Sequence, residues 1–194
     1  MKKLTAIFIA LMTAALFFSS CSRVTAEKPG FTDLILESYS CRSFKSGTVP
    51  EDVIETILIC GQKAPSAINA QPWHFTVITG SETARQVAPR HYAEGAVVIV
   101  VSGKSDERAG INVAFDCALA AQNINLAAQS LGLGARMYYS GVQNINDGKK
   151  GSLGIPDEYN AQIIMLIGYP DDSADASASA SIRRPVSENV NFIR

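Results

Sequence analysis

Histidine is nearly missing from this chain, and cysteine is thinly spread. His74 and His91 are the only histidines, and Cys21, Cys41, Cys60 and Cys117 show neither a CxxC nor a Cys/His spacing. The sequence therefore offers no ligand set for a zinc or iron site. No Ser-His-Asp arrangement or carboxylate pair is visible either, so no side chain is assigned a catalytic role. Excess charge is also lacking: 17 basic residues stand against 18 acidic ones, and no basic stripe with interleaved aromatics appears, which argues against nucleic acid as a partner. No strand feeds a GxGxxG into a helix N-terminus, so the dinucleotide fingerprint is absent. About four strand-like runs, irregularly spaced, are too few for a barrel.

What the chain has is apolar content. Its 194 residues are 47% hydrophobic, enough for one domain with a sizeable core. Met1-Lys2-Lys3 followed by an apolar run from Leu4 to Phe18 has the form of a secretory signal over residues 1–21. Phe18-Ser19-Ser20-Cys21 resembles a bacterial lipobox, which implies lipidation at Cys21 and an exported, membrane-anchored protein of the periplasm or cell surface. Ordinary secretion is the alternative. Losing residues 1–21 removes two lysines and no acids, leaving 15 basic against 18 acidic residues, net −3. Export would permit a disulfide among Cys41, Cys60 and Cys117, and the sequence selects no pair.

Residues 22–30 read as a tether. Phe31, Leu34, Ile35 and Leu36 mark a first helix ending near Ser38. Thr48-Val49-Pro50-Glu51 has capping-box spacing and opens a helix to Gly61. A strand follows over Phe75–Thr79, a short helix over Ser81–Ala88, and a two-face-buried strand over Ala96–Val101, with Ser102–Arg108 as a solvated loop. Asn112–Leu131 is apolar almost all round. It is expected to be buried, at a domain centre or across a subunit interface, with Asp116, Gln122, Asn123 and Gln129 as structural polar groups. Ala135–Tyr139 and Ile163–Ile167 read as further strands. Residues 171–181 form a low-complexity Ser/Ala/Asp linker, and residues 182–194 a docked arm.

Between the second helix and the strand that follows it lies Ala64-Pro65-Ser66-Ala67-Ile68-Asn69-Ala70-Gln71-Pro72-Trp73-His74-Phe75. The two prolines forbid a helix interior, so this is an irregular loop displaying Ser66, Asn69 and Gln71 beside Trp73. Taken alone, it is a turn whose polar side chains bond their own backbone. The segment also resembles the hallmark of the FMN-dependent nitroreductase family, and further matches recur in the family's order along the chain.

That resemblance implies an α/β (α+β) nitroreductase-like fold over residues 31–170: a mixed, mostly antiparallel sheet flanked by helices, in a homodimer. It also implies an FMN-dependent oxidoreductase that carries electrons from NAD(P)H to a nitroaromatic, quinone or similar small aromatic acceptor. Site residues follow by position. Ser40 and Arg42 match the family's phosphate-holding segment, where its first two arginines are here Ser38 and Tyr39. Pro65, Ser66, Asn69 and Gln71 match the loop that reaches across the dimer to the flavin. Tyr139, Ser140 and Gly141 match the glycine-rich segment near flavin N5, and Arg183 and Arg184 match basic residues that return to the phosphate. Two rival readings remain: a flavin reductive dehalogenase with another electron donor, and a non-catalytic surface lipoprotein, which the missing arginines support.

Overall fold

A computed structural model describes residues 30–104, 112–173 and 182–193. The signal sequence, Cys21, residues 22–29 of the tether, residues 105–108 of the expected loop and residues 174–181 of the linker lie outside the described residues.

In the body from Phe31 onward, the elements in chain order are α1 (Phe31–Glu37), β1 (Phe44–Lys45), α2 (Glu51–Gln62), β2 (Trp73–Ile78), α3 (Ser81–Val87), β3 (Val97–Lys104), α4 (Val113–Ser130), β4 (Gly134–Tyr138), α5 (Val142–Gly148) and β5 (Tyr159–Pro170). Strand β5 organises the sheet. One of its edges pairs with β3, which pairs on with β2; along the other edge lie β4 and then β1. Each of these pairings is antiparallel.

Period-two alternation splits the apolar residues of β3 and β5 between two faces. Val97, Ile99, Val101, Met165 and Ile167 face α2 and α4, meeting Ile54, Ile57, Cys117, Ala121, Ile124 and Ala128. Val98, Val100, Ile164 and Leu166 face the other way, against Ala84 of α3 and Val142 and Ile145 of α5. Helices thus cover both faces of an antiparallel sheet. Gly61 permits the close approach of α2 to α4, since a Cβ there would lie 2.7 Å from Ile124 Cγ1.

Several sequence expectations change. The capping box does not form: Pro50 itself is the N-cap of α2, with no side-chain hydrogen bond. Backbone bonds from Gly47 N to Glu94 O (2.9 Å) and Val49 N to Gly95 O (3.3 Å) hold the approach to the helix instead. Strand β3 continues through Ser102 and Gly103, because a register shift after Val101 keeps both paired with β5, and Ser102 is fully buried. Helix α5 is an element that the sequence patterning did not mark. Helix α4 is buried on one face alone and leaves Phe115 and Leu119 71% and 44% exposed. Every residue of the arm 182–193 is exposed, with Phe192 at 78%.

The three cysteines of the body are free thiols, Cys41 and Cys117 buried. Burial, with the charge of Asp116 beside it, pushes the Cys117 thiol up to about 12 from an ordinary value of 9.0. A folded-state value above the unfolded one stabilises the fold fully below pH 9, and that contribution is lost as the pH rises from there toward 12. Cys117→Ala should therefore flatten the alkaline limb of the stability curve in urea unfolding at a series of pH values. An unchanged slope would contradict this account of the thiol.

Candidate functional site

The segment between α1 and β1 is held from three sides. At the end of α1, Ser38 N and Oγ both donate to Ile35 O, at 3.3 and 2.8 Å. Gln129 of α4 grips Tyr39 twice: its Oε1 accepts from Tyr39 N and its Nε2 donates to Tyr39 O, each at 3.1 Å. Cys41 N donates to Ala135 O of β4 at 3.0 Å, with the Cys41 thiol donating to Ser43 O. Gly134 makes this docking possible. A Cβ there would lie 2.6 Å from Cys41 Sγ and 2.9 Å from Cys41 Cβ. Downstream, the Ser43 hydroxyl donates to Asp171, whose carboxyl the Ser173 and Ser43 hydroxyls hold below its ordinary range.

These contacts open a crevice of about 210 Å³. Ser38, Tyr39 and Ser40 form one wall, Gln122 and Asn125 of α4 the other, Ala135 and Met137 of β4 the floor, and Arg183 from the arm reaches the rim. The donor set is hydroxyls, amides and one guanidinium with no carboxylate among the lining residues, which suits a phosphate ester joined to a polyol. Burial raises the Tyr39 phenol above its ordinary value, so it stays protonated at neutral pH.

Of the residues singled out in the sequence, Ser40 and Arg183 meet in this crevice. Arg42 and Arg184 are exposed and do not line it. Ser140 and Gly141 border a different hollow beyond the end of β4, which they share with Arg90, Tyr138, Asn144 and Lys149. There Tyr138 Oη donates to Arg90 O at 2.8 Å, and Gly141, at φ 95°, turns the chain into α5. Tyr139, between Tyr138 and Ser140 in sequence, lines neither hollow and is 82% exposed.

The proline-bounded loop is elsewhere. Pro65, Asn69 and Gln71 are exposed and Ser66 half-buried. Gln71 N donates to Ser66 Oγ (2.9 Å) and Gln71 Nε2 to Asn69 O (3.3 Å), so much of the loop's polarity is spent on itself. Two bonds tie it to the body: Ala67 N donates to Asp116 Oδ1 at 3.2 Å, and Lys104 N of β3 donates to Pro72 O at 2.9 Å. Ile68, Asn69 and Gln71 all carry positive φ, at 48°, 56° and 47°. For a β-branched residue such as Ile68 this is strained, costing on the order of 1–3 kcal/mol. Asp116 and Gln122, the nearer of the two α4 residues that line the crevice, lie six residues apart on one helix, or roughly 9 Å at the α-helical rise. Within one chain, no residue of the loop lines the crevice.

Sequence reading missed the α4 wall. Gln122, Asn125 and Gln129 recur at helical spacing on one side of an alanine-rich helix, a signal that could have marked a polar stripe facing something other than core.

Residues 35–95 and 87–169 match the Nitroreductase family. A Methanothermobacter thermautotrophicus protein provisionally named NADH dehydrogenase/NAD(P)H nitroreductase is 34% identical over 144 residues, 69% of this chain and 74% of the relative. The NADPH-flavin oxidoreductase of Vibrio harveyi is 27% identical over 175 residues, covering 81% and 72% of the two chains. Among solved structures, a nitroreductase with bound FMN from Bacteroides fragilis NCTC 9343 superposes with a TM-score of 0.64 over 75% of this chain and 91% of its own, at 23% identity, which speaks for the fold. On the extent of these matches and the shared architecture, the chain belongs to the nitroreductase family.

Proposed function

We propose that the protein is an FMN-dependent oxidoreductase that takes electrons from NAD(P)H and delivers them to a nitroaromatic, quinone or similar small aromatic acceptor. FMN, when bound, supplies the redox chemistry; the polypeptide supplies placement and charge. The observation that carries this reading is the crevice where Ser40 and Arg183 meet amide side chains over a floor of Ala135 and Met137. Ser40 and Arg183 hold the phosphate there, with Arg42 and Arg184 as the neighbouring positive charges. Tyr139, Ser140 and Gly141, one residue beyond β4, meet the ring edge.

The active unit is a homodimer. Support comes from the crevice lining, which includes no residue of the loop of Pro65, Ser66, Asn69 and Gln71, so that the loop of a second copy can complete it. Phe115 and Leu119 on α4, and Phe192 on the arm, are apolar surfaces that one chain leaves to solvent. Export and anchoring through Cys21 rest on residues 1–21 alone. They would place the enzyme away from the cytoplasmic NAD(P)H pool and favour a different electron donor.

Arg183→Ala should weaken FMN by roughly 10- to 150-fold, the loss of a charge-assisted hydrogen bond worth about 1.5–3 kcal/mol. Arg42→Ala should weaken it less, because the side chain stands outside the crevice. Fluorescence titration of the apoprotein measures both, and unchanged affinity in Arg183→Ala would remove that residue from the phosphate site. A protein that never takes up flavin would favour the non-catalytic reading that Ser38 and Tyr39 suggest.

A further inference from the structure

Three amides on α4 form a chain whose direction is forced. Tyr39 N can only donate, so the Gln129 atom it meets at 3.1 Å must be Oε1. Gln129 Nε2 then donates to Tyr39 O (3.1 Å) and to Asn125 Oδ1 (3.0 Å), using both hydrogens. Asn125 is buried, and with its oxygen engaged its Nδ2 donates to Gln122 Oε1 at 3.4 Å. The chain ends at Gln122, whose Nε2 has no protein partner among the described residues. Gln122, Asn125 and Tyr39 all line the crevice.

We propose that Gln129, Asn125 and Gln122 act as a polarised amide relay that fixes the Tyr39–Ser40 backbone and presents N–H donors from Gln122 to an oxygen-rich group of the bound ligand. In this relay Gln129 is a positioning residue and Gln122 a binding one. The inference rests on the reading that FMN occupies this crevice. It accounts for a phosphate segment with Ser38 and Tyr39 in place of arginines: neutral donors, set by hydrogen-bond polarity, supply part of what guanidinium groups would otherwise give. The oxygen group is either the phosphate or the ribityl hydroxyls, and both accept hydrogen bonds.

The test uses the full protein freed of flavin and titrated with FMN and with riboflavin, which lacks the phosphate. Gln122→Glu keeps the side chain's size and replaces the donor with a charged acceptor at an exposed position, so the fold should survive. FMN affinity is expected to fall at least tenfold, and Gln122→Ala should show a few-fold loss. If riboflavin affinity falls equally, the ribityl chain is the partner; if only FMN suffers, the phosphate is. Gln129→Glu keeps the acceptor for Tyr39 N and loses both donations. It should bind FMN several-fold more weakly than wild type at pH 8, with the gap closing as the pH falls and the new carboxyl regains a proton. Should Gln129→Glu fail to fold, Gln122→Glu decides alone. Wild-type binding of FMN with Gln122→Glu within twofold of it overturns the relay, whereas a wild-type protein that binds no FMN overturns the reading beneath it.

Discussion

Replacing Phe115 and Leu119 together with aspartate is expected to yield a folded monomer that no longer retains FMN. Both side chains project from the face of α4 that the core does not use, since Cys117, Ala121, Ile124 and Ala128 carry the packing against the sheet. Stability of a single chain should change little. The interface is another matter. A two-fold arrangement would trap the new carboxylates of both copies in an apolar contact, where an unpaired buried charge costs about 3–5 kcal/mol. Two such charges per chain outweigh what two exposed apolar side chains contribute at about 1.5–3 kcal/mol each. The dissociation constant of the dimer should rise by more than about a thousandfold, at about 1.4 kcal/mol per tenfold. Sedimentation at micromolar concentration would show it. A variant that stays dimeric and yellow would place the interface elsewhere.

Gly134→Ala is expected to weaken both the fold and the flavin site through one contact. The added methyl would stand 2.6 Å from Cys41 Sγ and 2.9 Å from its Cβ, both belonging to a buried residue with no space to retreat. Relief requires residues 41–44 to move off β4, which breaks the Cys41 N to Ala135 O bond and widens the crevice. Overpacking of this kind costs about 1–3 kcal/mol, or roughly 3–10 °C in Tm for a body of this size. FMN affinity should fall with it, because Ser40 adjoins the displaced residue. Adding Cys41→Ala removes the nearer of the two clashing atoms and should restore part of both losses. Full affinity in Gly134→Ala would show that the segment's position against β4 does not govern binding.

Local pattern made much of the fold legible. Ala96–Val101 and Ile163–Ile167 are unbroken apolar runs, and they became the paired strands β3 and β5 at the centre of the sheet. Asn112 announced the start of α4 and does cap it, its Oδ1 accepting from Phe115 N at 3.2 Å. What stayed hidden was decided by contacts distant in sequence. Ser102 looked like a loop residue because only its pairing with β5 makes a buried serine part of a strand. Gln129 meets Tyr39 across 90 residues, so nothing near either position marks the pair. Helix α5, seven residues long with Val142 and Ile145 as its buried contacts, is too short for a periodicity to show.

The candidate site was legible in the same uneven way. Ser40 and Arg183 were found by their place in a family pattern, and the crevice brings them together although more than 140 residues separate them. The prolines foretold an irregular loop but not its left-handed backbone at Ile68, Asn69 and Gln71, a conformation set by Asp116 and by bonds within the loop.

Sedimentation velocity followed at the visible absorption of flavin joins composition to assembly in a single run on FMN-loaded protein. Two chains carrying flavin in one boundary, and flavin released when Phe115→Asp/Leu119→Asp parts them, is the predicted result. A single chain that keeps its flavin, or a pair that binds none, would contradict the account.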